Sequence, residues 1–368
     1  MILDILKTVF FLFIGICGIG FLIGFHELGH FIFCKIFKIR TPSFSIGMGP
    51  QILKKKIGET EFSLSLIPAG GYVEIAGMAE VAQGEQKEAK RSDEYSFNSK
   101  PYYQKLLVML GGILFNTVFA YFVMIALFMT GMPKLPLLYP YDPIVKSVEK
   151  DSAGQNFGLQ PNDKITAIND HQVKTIEELN QALKNLANQQ ATITVERNSS
   201  KVPLINIIGS RNEDGKEIGF LNISFQYPNS FPEAEPESFL NSVKDGIKAT
   251  NVIIVKIFQA LKSLIKKPTT KGVGGPILII AQTIESAKKG AKSFFILLAF
   301  ISINLALLNL IPLPIMDGGQ ILFTTIEAII RRPIPDQIRL IIHYICWISV
   351  VLLLLYLSFE DLKKIFIK

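Results

Sequence analysis

Residues 9–33 read VFFLFIGICGIGFLIGFHELGHFIF, an apolar run that carries His26, Glu27 and His30 near its end. His26-Glu27-Leu28-Gly29-His30 is an HExxH pattern. On a helix it sets two imidazoles one turn apart on one face, the spacing zinc needs, and leaves the glutamate between them free to activate a water. A lone histidine in such a run reads as a satisfied polar core residue. Two at i, i+4 flanking a glutamate would be expensive in lipid without a metal or a wet cavity. The metal reading wins.

The chain has 368 residues, 49% of them hydrophobic, and a mean hydropathy of +0.35, too apolar for an ordinary soluble protein. Four segments have the length and composition of membrane spans: Thr8–Cys34, Leu106–Met132, Phe294–Met316 and Leu340–Phe359. The first is read as a retained helix rather than a signal peptide, because Asp4 precedes Lys7 and the apolar run continues into the histidine motif. Ile16 before Cys17 argues against a lipoprotein site.

The net charge of +7 is unevenly placed. Lys35, Lys38, Arg40, Lys54–Lys56, Lys87, Lys90, Arg91, Lys100 and Lys105 crowd between the first two spans. By the positive-inside rule that segment is cytoplasmic and the N-terminus lies outside. Arg331, Arg332 and Arg339 agree; Lys363, Lys364 and Lys368 pull mildly the other way. Basic charge here reads as orientation in a lipid bilayer, with no nucleic-acid partner. Cys17, Cys34 and Cys346 lie in or beside apolar spans and make neither a disulfide framework nor a zinc spacing.

Strand chemistry follows the first span at Pro42–Met48, Ile52–Ile57, Thr60–Ile67 and Tyr72–Ile75, with turns at 49–51, 58–59 and 68–71. Ala79–Lys100 is polar and charge-mixed, as a mobile loop would be. Within 140–226, Gly158-Leu159-Gln160-Pro161-Asn162-Asp163-Lys164-Ile165, then Ala167-Ile168-Asn169-Asp170 and Val173, resemble the PDZ pattern. Asn162 and Asp170 replace its turn glycines, and both tolerate the left-handed conformation. Ile176–Leu186 is the expected helix and Ala191–Glu196 a strand. Such a domain either binds an extended chain end or serves as a packing or spacer domain. Ser238–Lys267 is an amphipathic helix with a stripe of Leu240, Val243, Ile247, Ile254, Ile257, Leu261 and Leu264. It is expected at the outer interface or against the PDZ domain.

Zinc needs a third protein ligand and an open position. The stretch Asn309–Gly319 holds Pro312, Pro314, Asp317, Gly318 and Gly319. Two prolines break the helix and two glycines permit close approach, which leaves Asp317 on irregular backbone at membrane depth. His26 lies about 27 Å along its helix from Thr8, and Asp317 about 34 Å from Phe294 if that helix were unbroken. They meet only if the first and third spans run the same way, which one intervening span ensures.

With Phe97-x-x-Lys100 and Gly112-x-x-x-Asn116, these motifs make nearly the whole chain resemble the site-2 proteases, intramembrane zinc metalloproteases, and within them the bacterial regulator-of-sigma-E type with a single PDZ domain. The resemblance implies one zinc per chain on His26, His30 and Asp317, with Glu27 as general base. It implies that Asn116 and Asn309 hold substrate, and that the Pro68–Ile75 hairpin (Pro68, Gly70, Gly71, Tyr72 and Val73) pairs with an unwound substrate segment. The expected substrates are single-pass membrane proteins pre-cleaved on the outer side, such as anti-sigma factors, or signal-peptide remnants. The expected location is the bacterial inner membrane, with the active site near the cytoplasmic side and the PDZ domain outside. Ile113 and Met316 stand where the family often has proline and leucine.

The expected fold is therefore a polytopic α-helical membrane protein of four transmembrane helices, with a small membrane-associated β-sheet and an α+β PDZ domain. In order it comprises the first span (1–39), the sheet (40–78), a cytoplasmic loop (79–104), the second span (105–132), the PDZ domain (133–228), amphipathic helices (229–291), the third span (292–330), and the fourth span with the tail (331–368). A membrane-anchored zincin acting on soluble chains would need a third ligand in an aqueous domain, and no motif supplies one. A non-enzymatic PDZ scaffold with a vestigial metal site would have lost Glu27 or Asp317.

Overall fold

The computed structural model describes residues 2–78, 88, 91–136, 138–213, 216–228, 232–266 and 274–366. They fall into two units, Met1–Thr130 with Pro236–Lys368, and Gly131–Glu235.

The first unit opens with helix α1 (Ile2–Ile36). Phe10, Phe13 and Phe21 are exposed while Leu22 and Cys34 are fully buried, as suits a helix with protein on one side and lipid on the other. Strands β1 (Ser43–Ile57) and β2 (Thr60–Val73) follow. The four strand segments expected here are the arms of these two bent elements. Residues 51–57 and 60–65 form an antiparallel hairpin, while 44–46 pair on one side with 62–64 and on the other with 71–73. Gly47, Gly49 and Gly70 have φ of 88°, 84° and 98° at the bends, so the chain turns there without leaving the sheet. Phe31 of α1 packs edge-on against Phe44 and Phe62, with ring centroids 5.5 and 5.6 Å away. That contact hangs the sheet from the helix carrying the histidines.

Of the expected loop, residues 79–87 and 89–90 lie outside the described residues. Its described end, 91–100, is anchored rather than loose. Asp93 accepts hydrogen bonds from Ser96 Oγ and Arg91 Nε, which hold its carboxyl below the usual range. Phe97 is buried in the core beneath the sheet, an apolar anchor that polarity alone did not reveal. Helix α2 (Tyr102–Thr130) then crosses α1 at Gly29, Gly111 and Gly112. A side chain at Gly29 would run into the Gly111 carbonyl. Small residues at a membrane-helix crossing let the backbones touch.

The second unit comprises β3 (Val145–Val148), α3 (Ala153–Asn156), β4 (Lys164–Ile168), β5 (His171–Gln172), α4 (Ile176–Leu183), β6 (Gln190–Arg197), β7 (Ser200–Ile207), β8 (Gly209–Glu213), β9 (Lys216–Phe220) and β10 (Ile223–Phe225). Its sheets run β5-β4-β6-β7, β10-β3 and β8-β9. Ile165, Ile168, Leu179, Ile193 and Val195 centre its core. Asn162 is left-handed as expected, with φ 73°, but in the next turn Asn169 (φ 50°) takes that role, not Asp170. The Asn169 side chain accepts from Thr192 N at 2.8 Å while its own N–H donates to Thr192 O at 2.7 Å. Those two bonds select the residue. Arg197 clamps the buried Asp163 through Nε and Nη2 at 2.8 and 2.7 Å.

The first unit resumes with α5 (Phe239–Lys266). Of the expected stripe only Ile257 is almost wholly buried; the buried face is otherwise Ser242, Gly246, Ala249, Thr250 and Ile253. These pack on α2, where Gly246 meets Ile125 and Tyr121 Oη donates to Asn251 Oδ1. Small residues such as Gly246 let the two helices approach closely. Next come α6 (Pro276–Lys288), α7 (Ala291–Asn309), α8 (Asp317–Ile330) and α9 (Asp336–Phe366). The third expected span thus ends at Asn309 and restarts at Asp317. The stretches Leu6–Ile36, Tyr102–Thr130, Ala291–Asn309 and Gln337–Lys363 are long and apolar enough to cross a membrane. Buried Asp361 of α9 caps α6, accepting from Gly275 N and Leu278 N at 3.1 and 3.0 Å.

Two stability predictions follow from these contacts. Asp361→Ala leaves the α6 N-terminus without its acceptor and should destabilise the first unit by about 1–2 kcal/mol. Thermal unfolding in detergent reads this as a lower midpoint, and an unchanged midpoint would show that the cap is dispensable. Arg197→Met strands the buried Asp163 carboxylate and should cost the second unit about 2–3 kcal/mol, discounted for Arg197's partial exposure. Faster proteolysis within residues 131–235 of the intact chain is the readout; wild-type resistance would contradict it.

Candidate metal centre

His26 and His30 face α2 one turn apart, both almost wholly buried. His30 Nδ1 lies 2.8 Å from the Val108 carbonyl and donates to it, which leaves the Nε2 lone pair pointing inward. A Cβ on Gly112 would lie 2.5 Å from His30 Nε2 and 2.6 Å from His26 Nδ1. Only glycine lets α2 lie against both rings.

The other half of the site comes from the broken span. After α7, Leu313 N bonds Ile311 O at 2.7 Å and Met316 N bonds Leu313 O at 2.8 Å, a chain of tight turns around Pro312 and Pro314. Gly318 and Gly319 let the first turn of α8 pack on this loop, since a side chain on either would strike the carbonyls of Leu310, Ile311 or Leu313. Gln320 Nε2 donates to the Pro314 carbonyl at 3.2 Å. Asp317, the first residue of α8, is thereby delivered to the histidines.

His26 Nε2 lies 3.2 Å from Asp317 Oδ2 and 3.2 Å from His30 Nε2, and His30 Nε2 lies 3.5 Å from Asp317 Oδ1. Zinc bonds of about 2.0–2.1 Å place tetrahedral donor atoms about 3.3 Å apart, so the three side chains fit the ion. The donor chemistry agrees. Two imidazole nitrogens and a carboxylate converge, and Asp317 Oδ2 has no hydrogen-bond partner among the described residues. A buried cation answers that crowding of lone pairs. Among the described residues, His26, His30 and Asp317 form the cluster able to hold a metal.

The cluster opens on a cavity of about 210 Å³ lined also by Glu27, Asn116, Asn309, Val73, Ile75, Met109 and Leu305. Glu27 accepts from the Val73 backbone N–H and lies under Gly71, where an added Cβ would come within 3.3 Å of its Cγ. Asn309 Nδ2 is 3.3 Å from His26 Nε2, and Asn116 Nδ2 is 3.2 Å from His26 Nδ1. The structure thus brings together His26, Glu27, His30, Asn116, Asn309, Asp317 and Val73, with Gly71 beside Glu27. Gly70 and Tyr72 do not line the cavity; Tyr72 pairs with Ser45 in the sheet, and the side chain of Pro68 lies outside the described ones.

Sequence reasoning missed the Val108 carbonyl, which no side chain announces. It also missed Ser302, whose Oγ donates to the Asn116 carbonyl at 2.9 Å; a serine in an apolar span was its only signal. His343 Nε2 lies 3.2 Å from Gln320 Nε2, with its ring against Phe323.

Because both rings touch Gly112, Gly112→Val should displace them. Zinc content of the purified protein, read by elemental analysis, is expected to fall well below that of wild type; an equal content would refute the packing argument.

The sequence profile of peptidase family M50 matches residues 14–354. A Campylobacter jejuni protein provisionally named a zinc metalloprotease is 31% identical over 356 residues, covering 94% of this chain and 92% of the relative. Similarly named proteins of Clostridium perfringens and Fusobacterium nucleatum are 31% and 30% identical, covering 85% and 96% of this chain and 86% and 98% of their own lengths. The profile spans both the histidine motif and Asp317, so the chain belongs to peptidase family M50, the site-2 protease family.

Proposed function

We propose that this chain is an intramembrane zinc metalloprotease that hydrolyses a peptide bond in the transmembrane segment of a single-pass membrane protein. The observation that carries the reading is the meeting of His26, His30 and Asp317 around one cavity with Glu27, on helices apolar enough to lie in a bilayer. Zinc held there supplies Lewis acidity that polarises a carbonyl and acidifies water. Glu27 takes the water proton on its carboxylate and returns it to the leaving amide nitrogen. The Val73 N–H holds that carboxylate beside the triad. Asn309 presents its amide N–H groups at the cavity and steadies the scissile carbonyl.

A helical peptide bond is shielded by its own hydrogen bonds, so the substrate must unwind before attack. The Gly71–Val73 arm is paired on one side with residues 44–46. It runs past Glu27, which suits it to receive an extended substrate as an added strand. Residues 133–228 act in this reading as a PDZ domain outside the membrane that excludes substrates with bulky outer domains. Substrates are then single-pass proteins already trimmed outside, of the anti-sigma-factor kind, or signal-peptide remnants, in regulated intramembrane proteolysis. The basic residues between the first two spans support a bacterial inner-membrane location with the N-terminus outside and the site near the cytoplasmic face.

Glu27→Gln tests the reading, because it keeps the ligands and removes the base. Cleavage of a transmembrane test substrate in proteoliposomes should fall about 10²–10⁴-fold with zinc content unchanged. Equal cleavage by the variant would overturn Glu27 as the base, and a wild-type protein that neither holds zinc nor cleaves would favour a non-catalytic scaffold instead.

A further inference from the structure

We infer that Asn116 is a positioning residue for His26: its side-chain oxygen accepts the Nδ1 proton of that imidazole and so fixes the tautomer that binds metal. The inference rests on the zinc reading given above. His26 Nε2 faces His30 Nε2, Asp317 Oδ2 and Asn309 Nδ2, so it is the nitrogen that must keep its lone pair. A neutral imidazole has one proton for two nitrogens, and that proton then sits on Nδ1. Yet the atom 3.2 Å from Nδ1 is Asn116 Nδ2, also a donor, while Asn116 Oδ1 is buried without a partner among the described residues. A half-turn of the carboxamide brings Oδ1 to the Nδ1 proton and gives that oxygen its partner.

The surroundings favour this role over substrate contact. Asn116 is fully buried, while Asn309 is only partly so. Its backbone carbonyl is held by Ser302 Oγ at 2.9 Å. On α2, Val108, Gly112 and Asn116 fall at i, i+4 and i+8, on one face. Val108 supplies the acceptor for His30, Gly112 the space for both rings, and Asn116 the acceptor for His26. One helix face therefore orients both histidines. Outer partners of this kind raise metal affinity about 10–100-fold.

The test is zinc affinity of the full chain in detergent, measured by competition with a chromophoric chelator. Asn116→Leu should raise the zinc Kd about 10–100-fold, whereas Asn116→Asp, an acceptor of the same shape, should stay within about threefold of wild type. Matching thermal unfolding of the metal-free proteins excludes a folding defect, and the Asp variant carries the test if the Leu variant fails to fold. A wild-type Kd in Asn116→Leu, or an Asn116→Asp Kd as weak as the loss expected for leucine, would overturn the assignment while leaving the metal reading intact. Wild-type protein that binds no zinc would overturn the metal reading and this assignment with it.

Discussion

Ionisable groups held inside an apolar helix bundle are the constraint on which the rest of this structure depends. Two imidazoles and two carboxylates at membrane depth each lose their hydration, and lipid offers nothing in exchange. Every nearby feature supplies a partner. Val108 lends a carbonyl to His30, Val73 lends an N–H to Glu27, and Asn116 and Asn309 bracket the two nitrogens of His26. The three inward donors, 3.2–3.5 Å apart, leave a place sized for a cation.

Close backbone approach is how those partners arrive. At the α1–α2 crossing, Gly29, Gly111 and Gly112 bring a helix face into contact with the histidine rings that any side chain at 112 would push away. In the broken third span, Gly318 and Gly319 fold the first turn of α8 onto the proline loop, and Asp317 is carried inward. On the remaining side Gly71 lets the sheet lie over Glu27. Irregular backbone is tolerated in such a setting only where it lines a cavity, and here it does.

Away from the site the same economy of size governs packing. The buried face of α5 mixes Ser242, Gly246, Ala249 and Thr250 with Ile253 and Ile257, and of these only Ile257 belongs to the expected stripe. Gly246 sits against Ile125 of α2, where a side chain would collide, so close fit to the neighbouring helix rather than apolar spacing alone chose the face.

The chain's own pattern determined the histidine pair on one helix face, the four apolar spans, the strand segments with their bends, and Asp317 as the third member of the cluster. All follow from short-range periodicity, from proline and glycine chemistry, or from the cost of charge in lipid, and none requires knowing what packs on what. Tertiary structure alone decided that 91–100 is anchored by Phe97, that Asn169 rather than Asp170 makes the left-handed turn, and that Val108, Gly112 and Asn116 share one face toward the histidines. Those outcomes depend on which carbonyl or amide a helix crossing presents to which ring. That is set by contacts between residues as far apart as His30 and Val108, or His26 and Asp317, which no local spacing encodes.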